Sequence, residues 1–480
     1  MMVAFVPLYL QLLGAESYGL VGIMLGLQAI SQLFDFGVGG AVNRELAMRS
    51  GKSELGGGIS TLVRTLEWIV WPMSIFVGIL IIVLSEWIAT SWLNGTLLSD
   101  EDIIYSLKII GIAVGCLWPS NFYLNCLSGL EKQPLMNALT AGFATLRYAG
   151  VLPVLYFVEP SIVAFLYWGA FVALMQSCLL AIVVWRKLPC RSQKKRFSRE
   201  ELFSVARFSG GLFLISMLAL SLTQIDRFFL AGLHPLSELG YYTVALTVAA
   251  GIGRLIQPLF NALYPRFSRL IANRDNRTLS DLYHQSSQWA AAVLSGVGAM
   301  LVVFSEQIIF VWTGDLDLAV QLKNALAILV AGTVLNGLVT IPYALQLASG
   351  WTKLSVLYNL VSILFIIPFG YIAINLYGMI GAASICLLLN FSSICIVVPL
   401  IHRKLLPREW FKWFFSDSLP SFVAAFTVAF SVSLWLPEIS RDFTGFLLLS
   451  LVFGLVAAAS FLSSSVVRKQ LLKFLKPANA

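Results

Sequence analysis

Five basic side chains stand where basic side chains are expensive. Arg147 and Arg254 fall near the middle of long apolar runs, and Lys108, Arg227 and Lys323 fall within others, nearer the ends. An arginine at the centre of a hydrocarbon slab costs at least about 2.5–3.5 kcal/mol, so it must meet a partner, a carbonyl or water. No acid lies within one helical turn of Arg147 or Arg254. The chemistry open to them is capture of an oxyanion, because a guanidinium grips phosphate oxygens with two parallel hydrogen bonds. The competing reading is a structural ion pair with an acid from another helix. For Lys108 and Lys323 it is snorkelling of the ammonium to the interface. Three acids could carry a coupling proton or cation. Asp226 adjoins Arg227, and neighbours on a helix point about 100° apart, so both cannot face lipid cheaply. Asp35 ends one apolar run near Arg44, and Glu67 opens another three residues after Arg64. Local ion pairs at Asp35 and Glu67, and an interhelical pair at Asp226, are the competing readings.

Composition identifies the solvent these runs meet. Of 480 residues, 58% are hydrophobic and 12% charged. A soluble domain is about 25% charged, so most of this surface faces lipid. Spanning runs read as 19–38, 66–85, 103–127, 135–158, 161–185, 209–230, 240–265, 286–308, 322–347, 354–376, 378–400, 419–436 and 444–466. With the short run Met1 to Leu13 they predict an all-α integral membrane protein of about fourteen helices. The first run is shorter than the roughly 20 residues a span takes and lacks a basic leader or cleavage site. It predicts a truncated first helix, with further apolar coding sequence upstream.

Of the 32 Lys and Arg, 26 lie in alternate loops and the tail, and one, Arg441, lies in the opposite set. The positive-inside rule then places both termini in the cytoplasm. The net charge of +8 belongs to these loops and implies no nucleic acid. Five of the six Cys lie in apolar runs, Cys190 lies in a basic loop, and there are three His. That pattern predicts neither a metal site nor a disulfide framework. Gly56-Gly57-Gly58 and Gly37-x-Gly39 lack the strand–turn–helix setting of a nucleotide site, so no cofactor is expected.

The organisation is read as an N-lobe over 1–185, a basic linker over 186–208, a C-lobe over 209–400, and two further helices with a tail over 401–480. The lobes repeat weakly. Ser128-Gly129-Leu130-Glu131-Lys132 is answered 221 residues later by Ser349-Gly350-Trp351-Thr352-Lys353, Glu16 to Gly19 by Glu238 to Tyr241, and Pro119 by Pro342. Six helices per lobe is an even number, so the repeat is parallel, about an axis normal to the membrane. Two such lobes around a central cavity make a transporter architecture.

Several strings carry a family resemblance. They are PLYLQLLGAESYGL at Pro7 to Leu20, DFGVGGAVNR at Asp35 to Arg44, TQIDR at Thr223 to Arg227, LGYY from Leu239, LYPRFS at Leu263 to Ser268, WTG at Trp312 to Gly314 and ASG at Ala348 to Gly350. In order and spacing, from Pro7 to about His402, the chain resembles the polysaccharide-biosynthesis (O-antigen flippase) branch of the multidrug/oligosaccharidyl-lipid/polysaccharide exporter superfamily. It departs from that family in lacking the first half of helix one. The resemblance implies a non-enzymatic flippase of the bacterial inner membrane. Its substrate would be undecaprenyl-diphosphate-linked oligosaccharide, moved by alternating access with Arg147, Arg254, Lys108, Arg227 and Lys323 lining a cationic cavity. Implied partners are that substrate, membrane lipids, and a glycan polymerase with other export-pathway proteins. A drug or small-solute antiporter of the same superfamily is the alternative. A membrane glycan polymerase or ligase is a third reading. It fits poorly, because the longest outer loop, about 86–102, is short, acidic and free of His.

Overall fold

The computed structural model describes residues 2–35, 38–50, 56–95, 98–188, 198–199, 217–218, 220–436, 439–466 and 468. The Asp35 side chain and most of the basic linker fall outside them. Among the described residues eleven helices are long and apolar enough to cross a membrane, and Ala4–Leu13 is a shorter apolar helix. One of the eleven, Lys353–Leu405, is 53 residues long, enough for two crossings at 1.5 Å per residue. A helix over 220–233 covers the described part of the run 209–230. Counting the long helix twice and adding these two shorter helices, the described residues are roughly consistent with about fourteen helices.

The chain divides into two compact units, Met1–Gly240 and Tyr241–Ala480. The first holds α1 (Met2–Leu13), α2 (Ala15–Ser31), α3 (Val38–Ser50), α4 (Gly56–Trp87), α5 (Asp100–Gly129), α6 (Gln133–Tyr148), α7 (Val151–Phe157), α8 (Ile162–Lys187), α9 (220–233) and the start of α10 (Leu236–Ala272). The second continues with α11 (Asn276–Val303), α12 (Ser305–Thr313), α13 (Leu316–Ala348), α14 (Lys353–Ser392), α15 (Val398–Leu405), α16 (Trp410–Lys412), α17 (Leu419–Ser433) and α18 (Phe443–Ser463).

Helix starts are fixed by local chemistry. The Ser99 hydroxyl accepts the Asp102 amide at 3.2 Å, and Asp100, Glu101 and Asp102 lie in the first turn of α5, where acids complement the helix dipole. Asp315 caps α13 and Asp442 caps α18 in the same way. The Thr444 hydroxyl and the Gly445 amide hold the Asp442 carboxyl down to about 2, so the cap stays ionised at neutral pH. The acids of these loops are thus partly helix caps. Gly378, at φ 53° and ψ −129°, breaks the long apolar element that begins with α14. A backbone of that shape is open to glycine and strained for other residues.

Packing inside the first unit uses small residues. The Ser74 hydroxyl donates to Gly115 O at 2.6 Å, and Gly78 faces Gly111 so closely that a Cβ on Gly78 would sit 3.1 Å from Gly111 O. Helices approach this way in lipid, where apolar surface gives little net drive to associate. The core of this unit joins α3, α4, α5 and α8 through Val42, Leu46, Leu66, Phe122, Tyr123 and Leu180. A second cluster, in the other unit, joins α11, α17 and α18 through Met300, Ala425, Ala429, Val452 and Val456. Gly19 and Gly240, one repeat offset apart in sequence, meet inside the first unit. A Cβ on Gly240 would lie 3.1 Å from Gly19 N and 2.0 Å from Ala15 O.

Several helices start earlier than their apolar runs. Glu67 lies inside α4, Lys108 inside α5 and Lys323 inside α13, each about two turns or more from the helix start. Hydropathy marks where a helix turns apolar, whereas caps and paired charges let it begin sooner.

Candidate functional site

Arg147 sits in the last turn of α6, where the span breaks. Pro153 cannot donate to the preceding turn, and α6 gives way to α7 at Ala149 and Gly150. The carbonyls freed or bent at the break find other donors. Trp168 Nε1 donates to Leu146 O at 3.0 Å, and the Tyr9 hydroxyl donates to Tyr148 O. The break is thereby satisfied inside an apolar setting, as a membrane requires. It fixes the Arg147 side chain against α8, where one terminal nitrogen donates to Gln176 Oε1 at 2.8 Å. The buried Nε has no hydrogen-bond partner. Among the described residues no carboxylate pairs with this guanidinium.

The rest of α6 explains what Arg147 borders. Asn137, Ala138, Thr140, Ala141, Gly142 and Thr145 are exposed and share one side of the helix, with Arg147 at its edge next to Thr140. Such a face carries no large apolar side chain to set against lipid. Its composition fits water and polar solute.

Arg254 lies on α10, exposed, with no ion pair or hydrogen bond among the described residues. One and two turns on, Gln257 and Asn261 extend the same exposed stripe and bond to each other at 3.2 Å. Pro258 withholds the N–H that would meet the carbonyl of Arg254, which leaves α10 able to bend at this point. Each arginine therefore sits beside a proline-weakened turn, on a polar face, uncompensated by an acid. They belong to separate compact units.

The remaining candidates have varied surroundings. Lys108 is exposed. Lys323 pairs with Glu306 across α12 and α13 at 2.9 Å. Arg227 donates to Gln224 at 3.1 Å, its Nε is unpartnered, and it lines a small, narrow pocket with Gly22, Gly26, Trp92 and Phe228. Asp226 is buried and accepts the Arg227 amide at 2.8 Å. Glu67 is buried and accepts three bonds, from Tyr123 at 2.8 Å, Trp185 at 2.6 Å and Arg64 at 3.0 Å. The carboxylate of Asp35 lies outside the described residues.

Reading charges alone missed the mid-span amides. Gln176 and Gln224 each orient one of the arginines, and a polar residue within an apolar run was their only signal in the sequence. The aromatic array on the C-terminal unit was also missed. Phe260 stacks on Tyr264 at 6.1 Å and on Tyr343 at 6.2 Å.

Helices of this length, with uncompensated cations on polar faces, define an integral membrane protein of the transporter class. Comparison with known proteins makes the assignment specific. The family described as polysaccharide biosynthesis protein matches residues 1–271, more than half the chain, and the MatE family matches 212–372. The chain belongs to the polysaccharide biosynthesis protein family. A Shigella flexneri protein provisionally named as an O-antigen transporter is 21% identical over 375 residues, covering 77% of this chain and 86% of that one. The lipid II flippase MurJ, in an inward closed conformation, superposes with a TM-score of 0.71 at 15% identity, over 98% of this chain and 97% of MurJ. An inward-facing multidrug resistance MATE family transporter of the MOP superfamily superposes at 0.68 and 14% identity, over 84% of this chain and 96% of the other. These likenesses establish the MOP-superfamily fold.

Proposed function

We propose that the protein flips a polyprenyl-diphosphate-linked oligosaccharide from the inner to the outer leaflet of the bacterial inner membrane, with both termini in the cytoplasm. The observation that carries this reading is Arg147, a mid-span guanidinium bound to a neutral amide and bordering a polar face. A diphosphate stripped of water in a low-dielectric path is very costly unless positive charge meets it. Arg147 and Arg254 supply that charge. Lys108, Arg227 and Lys323 serve the ends of the path. The family assignment and the Shigella flexneri relative supply the substrate class.

The antiporter alternative fares worse on the same observation, because unneutralised guanidinium groups repel the cations that drug exporters carry. Coupling, on this reading, uses Asp35, Glu67 or Asp226. The chain itself performs no bond chemistry on this reading; membrane lipids and a glycan polymerase are its partners. The test is deletion from the host. We expect loss of surface polysaccharide, accumulation of the lipid-linked glycan several-fold, rescue by the chain in trans, and unchanged susceptibility to cationic drugs. Normal surface polysaccharide with raised drug susceptibility would favour the antiporter instead.

A further inference from the structure

The most connected polar cluster in the second unit has no part in the site above. It centres on His284, buried on α11. Both ring nitrogens meet carboxylates: Nδ1 contacts Asp417 Oδ2, and Nε2 lies 3.1 Å from Glu409 Oε2. An ionised carboxylate only accepts hydrogen bonds, and a neutral imidazole has one donor nitrogen and one lone pair. A neutral ring here would turn its lone pair on a carboxylate. A doubly protonated ring satisfies both contacts.

The carboxylates are held in turn. Asp417 is buried and its other oxygen accepts Gln288 Nε2 at 2.8 Å. The Gln288 carbonyl accepts the Ser464 and Ser465 hydroxyls and the Val466 amide, each at 3.1 Å. Glu409 is partly exposed and pairs with Lys412 at 3.5 Å. The ring thus links α11 to the stretch 409–418 that leads into α17, while Gln288, also on α11, holds the residues after α18. The titratable groups around it are Asp417, Glu409 and Lys412 from that stretch, Tyr283 beside it on α11, and His402 on α15. The end of α18 contributes hydroxyls and an amide.

His402 is an internal contrast. Its Nδ1 lies 2.8 Å from the carbonyl of Val398 and so carries the proton, while Nε2 faces the Tyr283 hydroxyl at 3.0 Å. That ring fits the neutral Nδ1–H tautomer.

We propose that His284 is a proton-binding site, and that its proton clasps the 409–418 stretch to α11. Loss of the proton leaves one of the two carboxylates facing a lone pair and both charges without the imidazolium, with Lys412 as the remaining cation. The sign follows: the clasp is closed at lower pH and opens as pH rises. Opening is local, because the apolar cluster of α11, α17 and α18 persists through Met300, Ala425 and Val456.

The chain has three histidines, so selective labelling resolves them. The full chain is labelled with ¹⁵N-histidine, placed in lipid nanodiscs and followed by NMR, with His284→Gln assigning the signal. The expected result is two protonated ring nitrogens on His284 near neutral pH, and one on His402. In Asp417→Asn, His284 should revert to a neutral tautomer. Amide exchange over 410–418 should rise at least about tenfold in both variants, in step with the loss of a buried charge-assisted bond. If Asp417→Asn does not yield folded protein, Glu409→Gln, which is partly exposed, gives the same reading. A His284 ring that is neutral at every pH where the chain stays folded overturns the proton site. A protonated His284 whose replacement leaves exchange unchanged overturns the clasp.

Discussion

Arg147→Ala or Arg254→Ala should reduce glycan export at least about tenfold at unchanged levels of membrane-inserted protein. The magnitude follows from the interaction lost. A hydrogen bond to a charged group contributes about 1.5–3 kcal/mol, which is one to two decades of rate if it acts while the headgroup crosses. The double variant should lose more than either alone, since both guanidinium groups are removed. Lysine at either position should keep part of the activity, because the charge survives while the two-pronged grip is lost. Gln176→Ala is expected to weaken export less than Arg147→Ala, by freeing the guanidinium without removing it. Surface polysaccharide in a null strain, normalised to protein in the membrane, reads every one of these variants. Full complementation by both alanine variants would remove these residues from the path.

Gly240→Val should leave little folded protein. The added Cβ would lie 2.0 Å from the carbonyl of Ala15, which is backbone and cannot swing aside. Overpacking of this kind costs about 1–3 kcal/mol even where neighbours can yield. Here α2 and the start of α10 must separate. Gly251→Ala on the same helix is the control, because its Cβ meets nothing within 4 Å. Size-exclusion profiles in mild detergent should show a monodisperse control and an aggregated or absent valine variant. A valine variant as stable as the control would mean that the two helices do not approach as described.

Much of the fold could be read from hydropathy because lipid imposes a simple rule on long helices. The run pairs 354–376 and 378–400 were separable, and Gly378 is where the structure breaks the helix. Helix starts were less legible, since Ser99 and Asp315 cap helices before the apolar residues begin. At the site, Arg147 and Arg254 stood out as charges in apolar runs. What each meets did not, because Gln176 is 29 residues from Arg147 and no local pattern joins them. The His284 cluster was invisible for the same reason. Asp417 is 133 residues away, and both lie at the edges of their spans, where polar residues attract no notice.

The central claim, that this chain moves a lipid-linked glycan through a cationic path, is tested most directly by flipping in reconstituted vesicles. Purified chain is placed in proteoliposomes carrying a polyprenyl-diphosphate oligosaccharide, and the fraction reached by an added glycan-modifying enzyme is followed over time. The account predicts that wild type exposes inner-leaflet substrate well above empty vesicles, and that the Arg147→Ala, Arg254→Ala double variant falls to the empty-vesicle rate. Wild-type flipping unchanged in the double variant, or none in either while a cationic dye is transported, would contradict it.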